Sequence, residues 1–70
     1  MIRLVGEALY VPDALWAIHL SGYCRNVMGL VCPVMDLPDQ FGVDLSGLSE
    51  EDREAVVTRF AGRYPLTREE

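Results

Sequence analysis

Polar and apolar positions divide the chain into three zones. Residues 2–11, "IRLVGEALYV", are rich in Leu, Val, Ile and Tyr and stop at Pro12. Alternation is partial: Ile2 and Leu4 share one face, Arg3, Val5 and Glu7 the other, and Leu9 and Val11 then take the register of Val5. This pattern predicts a strand, broken or bulged at Gly6.

The zone from residue 12 to 35 supports two readings. Pro12 and Asp13 stand where a helix begins, and Trp16, Leu20, Tyr23, Val27 and Leu30 recur at spacings of four and three. That spacing suits one stripe of a long helix. Gly22 and Gly29 oppose it, each weakening a helix by about 1 kcal/mol relative to Ala. The preferred reading is a helix over 13–21 and a strand around 27–32, because a lone N-terminal strand needs a partner. Pro33 then belongs at an edge or a strand end.

The third zone opens on the turn-rich "DLPDQFGVDLSG" and continues as "SEEDREAVVTRFAGRYP". Ser49 with Asp52 three residues on resembles a capping box, and Leu48 can staple the first turn. Val56, Val57, Phe60 and Tyr64 share one side, and Gly62 and Pro65 mark the end. A helix starting at Ser49 follows. The three zones predict a single small α+β domain over residues 1–70, a short antiparallel sheet packed by one or two helices, with all-α as the alternative.

Composition narrows the function classes. Half of the 70 residues are apolar and 24% are charged, as in a globular domain. A net charge of −5, with six Arg and no Lys, argues against direct binding to phosphate backbones. The apolar run from Ala14 to Met35 is long enough for a membrane span, but it contains His19, Arg25 and Asn26 and has Pro33 near its end, so it is read as core. Glu7 interrupts any leader-like stretch, and a cytoplasmic, reducing setting is expected, with Cys24 and Cys32 as free thiols.

The soft ligands are spaced H-x4-C-x7-C over His19, Cys24 and Cys32, without the tight pair that structural zinc uses. Nor is this the C-x-x-C spacing of a dithiol redox site. Isolated glycines make no phosphate loop. No cofactor, metal or catalytic residue is expected, and the chain is read as non-enzymatic; a thiol or metal site at His19, Cys24 and Cys32 is the third alternative.

Charge is localised. Residues 36–54 hold seven carboxylates against Arg53, a net −6, while the first 35 residues balance. Acids in a first helical turn and Asp in turns have ordinary local roles. The functional reading is that Asp36, Asp39, Asp44, Glu50, Glu51 and Glu54 present a carboxylate face to a basic protein, one that itself binds nucleic acid. In size and charge pattern the chain resembles small phage-encoded inhibitors, anti-CRISPR proteins in particular, and that resemblance implies obstruction of a nucleic-acid channel. A second class is an assembly subunit or homodimer using an apolar and aromatic surface from Trp16, Tyr23 and Phe60.

Overall fold

The structure, a computed structural model, describes residues 1–69, and Asp36 among them by its backbone alone. The N-terminal zone forms two strands rather than one bulged strand. β1 (Ile2–Val5) and β2 (Ala8–Val11) pair antiparallel with Leu4 opposite Leu9, and Gly6 takes φ 61° in the turn between them. Glycine adopts that left-handed conformation without the steric penalty of a side chain. Leu4 and Leu9 differ in parity, so a straight strand would expose one of them. The hairpin reverses the chain and buries Ile2, Leu4, Leu9 and Val11 on one face.

Asp13 caps α1 (Ala14–Tyr23), its carboxylate accepting the Trp16 N–H at 2.9 Å. The helix runs on into a π-helical turn, Cys24–Met28, and Ala17, Leu20 and Cys24 are buried beneath it. The strand expected around 27–32 is therefore absent. Met28, Leu30 and Cys32 do all reach the core, at a spacing that imitates a strand, but they do so from a helix end and a crossing segment. The Gly29 and Leu30 N–H groups return to the Cys24 carbonyl, and Ser21 Oγ donates to the Cys32 carbonyl at 2.7 Å.

The partner for the N-terminal hairpin comes instead from the turn-rich zone. β3 (Val34–Leu37) and β4 (Gln40–Asp44) form a second hairpin closed by Pro38 and Asp39. Phe41, Val43 and Leu45 alternate toward the core. α2 (Glu50–Ala61) follows, capped by the Ser49 hydroxyl, which accepts the Asp52 N–H at 3.1 Å. β5 (Leu66–Glu69) then runs parallel to β1, with Ile2 opposite Leu66.

The result is a five-stranded sheet in the order β3-β4-β2-β1-β5, mixed rather than wholly antiparallel because of β5. This is a small α+β domain. Val56, Val57 and Phe60 of α2 join the buried residues of α1 and of the sheet in one core, so both helices lie on the same face. The opposite face carries the Arg3–Glu69 ion pair at 2.6 Å, Tyr10 and Met35. At its centre Gly42 stands between Tyr10 and Met35, where a Cβ would strike the Leu9 carbonyl oxygen and come within 2.9 Å of Met35 Cε.

Candidate protein-interaction surface

Strand β4 decides where the acidic residues go. It begins beside the hairpin tip that holds Asp39 and ends at Asp44, about 16 Å away at the usual rise per residue. That exceeds the screening length of about 8 Å at physiological salt, so Asp39 does not act with Asp44 as one field. The Asp36 side chain lies outside the described residues. The expected row of carboxylates is thus divided, and its main part lies where β4 leaves the sheet and α2 begins.

At that end Asp44 accepts from the Ser46 N–H at 3.0 Å and from Ser46 Oγ at 2.9 Å. These two bonds hold its carboxyl below the ordinary range, with the backbone bond the larger cause. Glu50 and Glu51 are exposed in the first turn of α2 with Asp52 beside them, where the positive helix pole stabilises all three. Glu54, one turn on, binds Arg68 Nη2 at 2.6 Å, and that bond keeps its carboxyl ionised below the usual range. Glu54 is therefore a neutralised neighbour of the site.

One member has no signal in the local sequence. Glu7 sits in the β1–β2 turn, and its carbonyl accepts the Leu45 N–H at 2.8 Å, tying that turn to the exit of β4. Its carboxylate receives Arg53 Nη1 at 3.2 Å. The single basic side chain of the acidic segment is thereby directed to a carboxylate from the other hairpin. Glu7, Asp44, Glu50, Glu51 and Asp52 share one end of the domain with Arg53 as their counter-charge.

The other candidates take different places. Cys24 and Cys32 are both buried and free, and burial pushes the Cys24 thiol up to about 12 and raises that of Cys32. His19 stands on the outward side of α1, with Nε2 3.5 Å from Tyr64 Oη, so it does not join the cysteines. Among the described residues no group of three His, Cys, Asp or Glu is arranged to hold a metal. His19 instead lines a cleft of about 270 Å³ with Leu15, Trp16 and Tyr64.

The arginines near the end of α2 are engaged internally. Arg59 donates to Tyr23 Oη at 3.0 Å, Arg63 lies 5.1 Å from the Tyr23 ring centre, and Arg68 holds Glu54. Trp16, Tyr23 and Phe60, expected to form an apolar contact surface, turn inward: Trp16 meets Tyr64 edge-on at 5.0 Å and Tyr23 lies 5.5 Å from Phe60. The exposed apolar side chains are others, chiefly Leu15, Ile18, Val27 and Val31. No helix among the described residues is long and apolar enough to cross a membrane. Comparison with known protein families, curated proteins and solved structures finds no match.

Proposed function

We propose that the chain is a non-enzymatic interaction domain that docks a basic, nucleic-acid-binding protein through the carboxylates at the start of α2. The observation that carries this reading is that Asp44, Glu50, Glu51 and Asp52 gather at one end of the domain without an ion pair among the described residues, Arg53 being committed to Glu7. A cluster of carboxylates carried by a strand end and a helix start steers a basic partner and can occupy the positions that phosphates would take. Covering a nucleic-acid channel in this way is the mode of an inhibitor, the class whose format the chain resembles.

The test separates a local site from net charge. Glu50→Lys/Glu51→Lys removes two attractions and adds two repulsions, at about 0.5 kcal/mol each, so affinity for an Arg-rich peptide should fall by about 2 kcal/mol, roughly 30-fold. Asp36→Lys with Asp39→Lys changes the net charge equally, in the β3–β4 hairpin at the far end of β4, and should cost less than threefold by the same reasoning. Fluorescence anisotropy at low and high salt measures both. Equal losses for the two double variants would reduce the effect to bulk charge and overturn the reading.

A further inference from the structure

The outward side of α1 is unusual for a surface helix. Leu15 is 77% and Ile18 59% exposed, and no charged side chain occurs between Ala14 and Tyr23. A helix apolar on both sides normally has something packed against both. Val31 and Val34 extend the apolar area toward the β3 edge. Gly22 lies on the same outward stripe as Leu15 and Ile18, and a Cβ there would meet nothing within the chain. The fold of a single copy therefore gives no reason for a glycine in the helix interior, whereas a second helix approaching closely does.

Charge identifies the occupant. Asp13 caps one end of this face and exposed Arg25 stands just past the other, about 18 Å along the axis. Arg3, Arg53 and Arg68 are in ion pairs and Arg59 and Arg63 contact Tyr23, leaving Arg25 the one arginine with no side-chain partner among the described residues. A face with a negative end and a positive end is complementary to itself when turned by half a revolution. The chain as a whole is acidic, so most other faces repel a second copy.

We propose that α1 is a homodimer interface, in which two copies pack α1 antiparallel about a two-fold axis near Ile18 and His19. Each Leu15 then seats over Gly22 of the partner subunit, and each Asp13 meets Arg25 of the partner subunit. This assignment is independent of the acidic docking site, which lies at the start of α2. The patch is small for an interface, so association is weak and appears at high concentration.

Sedimentation equilibrium of the full chain across the micromolar to millimolar range reads the result. The expected mass rises from monomer to dimer, and Ile18→Glu, an exposed position, holds it at monomer while circular dichroism stays unchanged. The decisive arm uses Asp13→Arg and Arg25→Asp, each of which opposes like charges in its own dimer. Each alone should be monomeric at a concentration where the parent associates, and an equimolar mixture should recover the dimer. Should Asp13→Arg fail to fold for loss of its cap, Arg25→Asp against the parent chain still reports, with at least a tenfold weaker self-association expected. A chain that stays monomeric at millimolar concentration overturns the proposal. So does a dimer indifferent to Ile18→Glu, or a monomer that instead co-sediments with phosphatidylcholine vesicles.

Discussion

Alanine at Gly42 adds one carbon to the middle of the sheet, and the atom in its way belongs to the main chain. The carbonyl of Leu9, on the neighbouring strand, stands within contact distance of the new Cβ, with Met35 Cε 2.9 Å away on the other side. The Met side chain can swing aside. The Leu9 carbonyl cannot, because β2 is paired with β4 through Leu9 and Val43 and with β1 through Leu4. Overpacking of this kind costs about 1–3 kcal/mol, offset by roughly 0.5 kcal/mol from the reduced freedom of the unfolded chain. A net loss of about 1.5 kcal/mol is expected, which for a domain of this length lowers Tm by roughly 6–12 °C.

Gly22→Ala supplies the control, since its new carbon meets open space within a helix. There the substitution should raise stability by about 1 kcal/mol through helix propensity. Urea unfolding followed by the fluorescence of Trp16, the single tryptophan, measures both changes at submicromolar protein, where copies do not meet. Opposite signs are required. A Gly42→Ala protein within about 0.5 kcal/mol of the parent would refute the argument that the sheet needs a bare Cα there.

Three further outcomes follow from the same structure. Cys24 and Cys32 should resist a thiol-specific disulfide reagent until the chain unfolds, and stability should be full below pH 9.0 and decline as pH rises toward about 12, because the Cys24 thiol is raised by burial from 9.0 to that value; rapid labelling of the native protein would contradict this. The carboxyls of Glu54, Glu69 and Asp44 are lowered by Arg68, Arg3 and Ser46, so their stabilisation is present above the ordinary carboxylate range and is lost as pH falls through the depressed values. Thermal melts between neutral and acid pH should show that decline, and high salt should flatten the two Arg-linked parts while sparing Asp44. Ser49→Ala should cost about 1 kcal/mol in denaturant unfolding through loss of the cap on Asp52 N–H.

The parts of the fold legible in the sequence are those in which one periodicity runs uninterrupted between its own caps. α2 is such a segment: Ser49 begins it, Val56, Val57 and Phe60 recur at helical spacing, and Gly62 follows its end. The N-terminal hairpin was hidden because Leu4 and Leu9 differ in parity, and a reversal of chain direction looks like a fault in a single strand. In β4 the alternation of Phe41, Val43 and Leu45 is interrupted by Gly42 and flanked by Pro38 and Asp39, residues that normally signal turns. Gly42 is in the strand for close approach, a tertiary reason that no local pattern carries. β5 has three of its four residues exposed and exists through backbone pairing with β1. The same limit applies to the site. A sum of charges by segment sets Glu7 against Arg3, whereas the fold gives Arg3 to Glu69 and places Glu7 with the acids of α2.

The distribution of partners among the arginines connects the two proposed surfaces. Ion pairs neutralise Glu69, Glu7 and Glu54, and four carboxylates outside those pairs, Asp44, Glu50, Glu51 and Asp52, gather at the start of α2. Arg25 is left at the end of the charge-free helix, where an intramolecular partner is lacking among the described residues. A dimer through α1 carries two acidic ends on one body, and two binding modules on one body raise apparent affinity for a partner with two basic patches without any new contact. The surfaces also differ in their response to salt. Docking through exposed carboxylates weakens steeply as salt rises, while an apolar helix contact with two charge pairs weakens little. Ile18→Glu and Glu50→Lys/Glu51→Lys therefore test the two proposed surfaces separately, the first expected to remove bivalency and the second the attraction itself.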